Sequence, residues 1–304
     1  MMTLKVLVSV LGLSFALGTS AVVPAAPLRG AVQVASTPAV APKFVDPVFD
    51  TIEDQQGSRP YGDILDAGTG MFSLQWLTSL HQQDKIKSFT AVTAEPAMRD
   101  RVQKEAERLG VAEGNSIVIG NWFGNIELPK KQYDTILAEY LIGAIDGFAP
   151  FKQQEMIPKL VALLKPGGRL YLVGWEPMPD KADGPAGVVC KVQRIKDACI
   201  MIAGQRPYRE YPVEWVLQQV DRLPNAKLAA KTQQFPIRYQ HQKIVSLINA
   251  GRKTLEHFPS QVLAASMADV LNDLERQSKD ATDWCPTGTI EQGFDYLVTI
   301  EKIA

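Results

Sequence analysis

Residues 63–73 read Asp63-Ile-Leu-Asp66-Ala67-Gly68-Thr69-Gly70-Met-Phe-Ser73. A short apolar run with strand character leads into a glycine-rich turn. The turn leads into a stretch whose apolar residues, Phe72, Leu74, Trp76, Leu77 and Leu80, recur at helical spacing. Strand, glycine turn and helix in that order form a nucleotide-cradling device. Glycine lets backbone approach a ligand, and the helix start offers N–H donors that have no partner inside the helix. A dinucleotide-binding turn calls for a third glycine where Ser73 stands, so that helix and strand pack closely, and its absence argues against a dinucleotide ligand.

The same alternation continues outward from this stretch. Ser88 to Thr93, Ser116 to Ile119, Tyr133 to Ala138 and Arg169 to Gly174 read as further strands. Glu95 to Leu109 and Phe151 to Leu164 read as helices between them, the second stopped by Lys165-Pro-Gly-Gly168. Strands and helices alternating at this spacing predict a parallel sheet with crossover helices on both faces, a doubly wound α/β fold. Beyond Trp175 the rhythm changes. Val188 to Ala203, Pro212 to Leu223, His241 to Phe258 and Ser260 to Lys279 read as helices, and Lys227 to Tyr239 and Gly293 to Lys302 as strands. Pro236 assigns the first of these strands to an edge or a bulge. The reading is one domain over 46–304, with helical cap elements over 176–212 and 240–290 inserted into the sheet.

Three further signals stand at fixed places relative to the turn. Glu95 follows the second strand, 25 positions after Gly70, where a carboxylate accepts from two ribose hydroxyls held side by side; it also suits a helix start. Asn121-Trp122 follows the third strand, and Leu164-Lys-Pro-Gly-Gly168 precedes the fifth. In order and spacing, this set over Pro60 to Trp175 resembles the class I (Rossmann-like) S-adenosylmethionine-dependent methyltransferases. The resemblance implies a mostly parallel seven-stranded sheet and S-adenosyl-L-methionine as cofactor. It further implies that Asp66, Ala67, Gly68, Thr69 and Gly70 hold the amino-acid end of that cofactor, Glu95 its ribose, and Asn121 and Trp122 its adenine. Two positions depart from the family pattern: Asn121 stands where an acid is usual, and Phe72 where glycine is frequent.

Glu139 and Tyr140 leave the fourth strand at the edge where ligands of open α/β sheets collect. Glu139 is the candidate base or ammonium-binding carboxylate, and an exposed loop acid is its plainer reading; Tyr140 is a candidate wall beside the donor methyl. Trp175 leaves the fifth strand at the same edge. Tyr208, within Arg206-Pro-Tyr-Arg-Glu-Tyr211, lies in a loop dense in aromatic and cationic groups, which fits either a substrate-facing loop or a salt-bridged elbow. These residues imply in-line methyl transfer to a small-molecule acceptor. The alternatives are aminopropyl transfer, which a second acid near Glu139 would favour and for which Asp146 is the neighbour in sequence, and a protein of this fold without activity.

Composition narrows the partners. Lys plus Arg number 32 against 33 Asp plus Glu, with no basic stripe of the kind a nucleic acid needs. The three cysteines, Cys190, Cys199 and Cys285, form no C-x-x-C pair, and the three histidines are widely separated, so no metal is expected. The N-terminus carries its own signals. Lys5 precedes an apolar run from Val6 to Leu17, too short to span a bilayer, with small residues at Gly18, Ser20 and Ala21. Residues 1–21 read as a signal peptide whose removal leaves no membrane anchor. Residues 22–45 hold no acid and read as a transit-like or flexible leader. That pairing resembles the bipartite leader of algae with complex plastids. Few cysteines fit the reducing stroma of a plastid, and secretion is the alternative.

Overall fold

The computed structural model describes residues 46–224 and 227–303. The signal peptide and leader lie outside the described residues. Seven strands form one sheet in the order β3-β2-β1-β4-β5-β7-β6. They are β1 (Asp63–Asp66), β2 (Ser88–Thr93), β3 (Ser116–Ile119), β4 (Tyr133–Glu139), β5 (Leu164–Trp175), β6 (Leu228–Tyr239) and β7 (Ile290–Lys302). The first five are parallel, whereas β7 runs antiparallel to both of its neighbours. The sheet is therefore mixed. The strand order reverses at β1 and β4, which opens a crevice at their C-terminal ends.

One face carries α4 (Leu141–Phe148), α5 (Gln153–Leu163) and α7 (Val213–Asp221), packed on Leu65, Ile136, Leu170 and Val298. The other carries α1 (Pro47–Gln56), α2 (Met71–Gln82) and α3 (Pro96–Arg108), packed on Ile64, Phe89, Leu137 and Leu297. Helix α1 is absent from the sequence reading, although its start has a clear signature. Asp46 caps it, with Oδ1 accepting from the N–H groups of Val48 (2.9 Å) and Phe49 (3.3 Å), and Pro47 occupies the first turn. Phe49 anchors the helix by an edge contact with Phe72 and a tilted contact with Trp76, at centroid distances of 5.7 and 5.0 Å. That contact accounts for an aromatic residue at position 72.

A third apolar cluster joins α6 (Gly184–Ile202), α8 (His241–Arg252) and α9 (Gln261–Trp284) over Trp175, Ile237, Tyr239 and Ile290. Trp175 follows Val173 at the alternate position of β5, so this cap sits on the α1 side of the sheet above its C-terminal edge. Helix α9 runs five residues past Lys279, and α6 starts four residues before Val188. Strand β6 is an edge strand with exposed Lys231, Gln233 and Gln234, and its register shifts between Pro236 and Arg238. Pro236 thus sits at both an edge and a bulge, where a missing N–H costs no ladder bond. Among the described residues no helix is long and apolar enough to cross a membrane.

Candidate active site

The glycine turn is fixed from both sides. Thr69 N–H donates to the Val92 carbonyl (2.7 Å) and Ala67 N–H to the Leu137 carbonyl (2.8 Å), which ties the turn to β2 and β4. Trp122 is buried beneath the turn, and its indole N–H donates to the Ala67 carbonyl at 2.7 Å. Its polar group is thus a strut for the turn, and only its ring remains as a wall. Gly68 lies so close to α4 that an added Cβ would meet Leu141 Cδ1 at 3.2 Å. Gly70 differs: a Cβ there would meet no protein atom within 4 Å and would project into open space. Ser73 takes the place of a third glycine, with its Oγ accepting from Gly70 N–H at 3.2 Å.

Asp66 is fully enclosed. Its Oδ1 accepts a long bond from Gly68 N–H (3.4 Å), and Oδ2 is buried without a close partner. Burial pushes its carboxyl up to about 6, against the opposing pull of Ser73, Thr69 and Gly68. An unpartnered acceptor beneath an open backbone cradle fits the ammonium and amino-acid end of S-adenosylmethionine. Glu95 is half-buried before α3, and its carboxylate makes no cap hydrogen bond, which leaves it for a ligand. Asn121 is more committed. Its Nδ2 donates to the Phe148 carbonyl (2.8 Å) and its Oδ1 accepts from Phe123 N–H (2.9 Å), so the amide joins the turn after β3 to the end of α4.

At the end of β4 the backbone turns sharply. Tyr140 holds a left-handed conformation (φ 48°), uncommon for a bulky side chain, while its N–H still bonds the Val173 carbonyl at 2.9 Å. Glu139 and Tyr140 therefore come to one place. The Glu139 carboxyl is held well above the usual range by burial first, then by the charges of Asp66, Asp46 and Asp295. The Tyr140 hydroxyl hydrogen-bonds Asp295 and is likewise raised, chiefly by burial. Asp295 itself is pushed up to about 6 by burial, against Tyr140 and the positive charge of Lys243. Lys243, in the first turn of α8, lies over the Tyr239 ring (5.0 Å) and is lowered by burial.

Residues 203–212 cross the C-terminal edge from the cap to α7 and form a roof. Arg206 Nε lies 3.5 Å from Asp146, and its guanidinium lies over Phe151. Tyr208 packs on Gly147, and burial pushes its hydroxyl up to about 12, with the charges of Glu95 and Glu210 next. Glu210 lies directly on the Gly143 backbone, and burial pushes it up to about 8. Asp146 is tied to Gln153 (3.0 Å) and Arg206, so the acids facing Glu139 are Asp46, Asp66 and Asp295 instead. Trp175 stands at the cap side with its indole nitrogen buried and unpartnered.

Asp46, Asp295, Lys243 and Glu210 escaped the sequence reading. Asp-Pro at 46–47 is a helix-start signal that was available, and Asp295 is the one acid in the apolar stretch Phe294 to Ile300. Lys243 carried no such mark. Two cavities lie away from this edge. One of about 270 Å³ lies beside Arg59, Asp134 and Gly167, where both arginines of its lining are already bonded to Glu301; the other, of about 600 Å³, is a groove between α6 and α9. Among the described residues no three His, Cys, Asp or Glu side chains are grouped to hold a metal ion.

The fold is that of the class I S-adenosylmethionine-dependent methyltransferases. A protein of Bacillus halodurans C-125 assigned to the methyltransferases matches with a TM-score of 0.52 at 13% identity, over 85% of this chain and 99% of its own. A cyclopropane-fatty-acyl-phospholipid synthase-like protein of Lactobacillus casei ATCC 334 also gives 0.52, at 12% identity over 83% and 88%. At such identities the likeness is one of fold. No protein-family profile and no curated protein matches the sequence.

Proposed function

We propose that the protein is an S-adenosylmethionine-dependent methyltransferase acting on a small-molecule acceptor. The observation that carries this reading is the pairing of open space above Gly70 with the unpartnered Oδ2 of fully buried Asp66. Asp66 and the Ala67–Gly70 turn hold the amino-acid end of the cofactor, and Glu95 holds the ribose. Trp122 walls the adenine while propping the turn, and Asn121 shapes that wall through its bond to Phe148. When bound, the cofactor supplies an electrophilic methyl carbon on a sulfonium. Glu139 and Tyr140 face the acceptor side, Trp175 and Tyr208 line it, and the roof and cap exclude water, which strengthens each charge interaction inside.

Calorimetric titration of S-adenosylmethionine and S-adenosylhomocysteine into the protein tests this. Saturable binding weakened at least about tenfold by Glu95→Ala is expected, since two charge-assisted hydrogen bonds are lost. No binding at millimolar ligand to folded protein overturns it. Aminopropyl transfer is the second reading, favoured by the acids that face Glu139; tighter binding of the decarboxylated cofactor than of S-adenosylmethionine would select it. The leader composition supports entry into the secretory route and, with few cysteines, a plastid destination over secretion. A fluorescent protein carrying residues 1–45 in a complex-plastid alga reports which holds.

A further inference from the structure

Beyond the cofactor cradle, the cap side of the edge holds an array that strand register alone defines. Trp175 on β5 is the direct partner of Asp295 on β7, and Asp295 is in turn the direct partner of Phe235 on β6. Direct partners across a sheet put their side chains on the same face, about 5 Å apart. An acid thus stands between two aromatic rings, with the Tyr140 hydroxyl bonded to it. Glu139 lies at the end of β4 on the same face, since it follows Leu137 by two positions.

The charges around this row do not cancel. Asp46, Asp66, Glu139 and Asp295 sense one another, and among the described residues none forms an ion pair within 4 Å. Lys243 is the cation that reaches Asp295 and Asp46, from a position over Tyr239. A second feature is independent of the acids: the Trp175 indole N–H is buried in the same row with no acceptor, leaving a donor for an atom the protein does not supply. An anionic ligand would add to the excess of negative charge, and these acids are not grouped to hold a metal ion. Carboxylates flanked by aromatic rings match an organic cation, which both a negative charge and a ring face attract.

We propose that the acceptor is a small organic amine, bound as its cation between Trp175 and Phe235, with Asp295 as counter-charge and Glu139 as the group that takes its proton. This rests on the methyltransferase reading of the adjoining cradle. Asp295 holds the ammonium, Tyr140 orients Asp295, and the buried indole N–H of Trp175 serves an oxygen or second nitrogen of the same ligand. Transfer of one N–H proton to a Glu139 carboxylate oxygen leaves a neutral amine with a free lone pair and a neutral carboxylic acid, while the Asp295 carboxylate keeps its charge within reach of Lys243.

The test uses the full chain, first titrated with S-adenosylhomocysteine and then, at saturation, with benzylamine or putrescine and with benzyl alcohol or butanediol as uncharged counterparts. At least one amine should bind about tenfold tighter than its alcohol, the scale of one desolvated charge pair. Asp295→Asn should erase that preference while S-adenosylhomocysteine affinity stays within about threefold. Trp175→Phe, which keeps an aromatic ring but removes the indole N–H and part of the ring face, provides a second variant and should weaken amine binding while leaving S-adenosylhomocysteine affinity within about threefold. Equal binding of amine and alcohol, no saturable amine binding at millimolar, or a preference that survives Asp295→Asn overturns the amine assignment and leaves methyl transfer standing. Failure at the first titration overturns methyl transfer itself, and this inference with it.

Discussion

Replacing Asp66 with Asn measures what a charge costs inside the glycine turn. Burial raises this carboxyl from 3.8 to about 6 in the folded protein. The native state therefore keeps a proton that the unfolded chain has already lost, and stability falls as pH rises from about 4 to about 6, then levels off. At about 1.4 kcal/mol per pKa unit, the penalty reaches ~3 kcal/mol near pH 8, of which ~1.6 kcal/mol is already present near pH 5. About 1.4 kcal/mol thus develops between the two pH values. Asn has no proton to lose, and its unpartnered amide costs ~1–3 kcal/mol at either pH. Urea unfolding of both proteins at the two pH values cancels that constant. The variant should gain about 1.4 kcal/mol on the wild type between pH 5 and pH 8, or more, because Glu139 is relieved of a neighbouring charge. A gain below about 0.5 kcal/mol, or one of opposite sign, would refute the claim that Asp66 ionises unpaired.

Other perturbations address other parts of the assembly. Trp122→Phe removes the donor 2.7 Å from the Ala67 carbonyl; denaturant unfolding should show a loss of about 1–3 kcal/mol, with weaker S-adenosylhomocysteine binding by calorimetry. Phe49→Ala removes the ring that seats α1 on Phe72 and Trp76 and should cost about 3–5 kcal/mol in the same unfolding assay. Gly174→Ala puts a Cβ 2.3 Å from the Tyr296 ring, whose hydroxyl is held by the Tyr211 carbonyl at 2.8 Å. With neither side free to move, a loss of about 3 kcal/mol is expected, read as a lowered melting temperature.

Local pattern carried much of the fold. Strands β1 to β4 lie where apolar runs bounded by turn residues put them, and the central ones are apolar on both faces; β5 starts five residues before Arg169, at Leu164, because Lys165-Pro-Gly-Gly168, read as a helix stop, runs within the strand. Helix α4 was missed because Leu141-Ile-Gly-Ala-Ile-Asp-Gly-Phe148 is short and carries two helix-weakening glycines. The insertion of β7 between β5 and β6 is a long-range fact that no periodicity records. The site divides along the same line. The glycine turn, Glu139 and Tyr140 are contiguous in sequence with their strands and were readable there. Asp46, Lys243 and Asp295 meet from separate parts of the chain, and only the packed sheet and cap bring their charges together. The commitments of the Asn121 amide and the Trp122 indole to protein carbonyls were equally out of reach, because their partners lie 27 and 55 positions away.

The place of β7 also sets what the edge of the sheet depends on. β6 hydrogen-bonds to β7 and to no other strand, so it has no seat until Ile290–Lys302 is available. Strands β1 to β5 pair without β7, whereas β6 joins the sheet only through it. Pairing β7 with β5 closes the 114 residues 176–289, against the 50 residues 240–289 between β6 and β7, and is the longest closure in the sheet. Because Asp295 lies on that strand, the acid stands between the two rings only where this long-range pairing is made. A chain that lacked this pairing would keep its glycine turn but lose the acid of the proposed acceptor site.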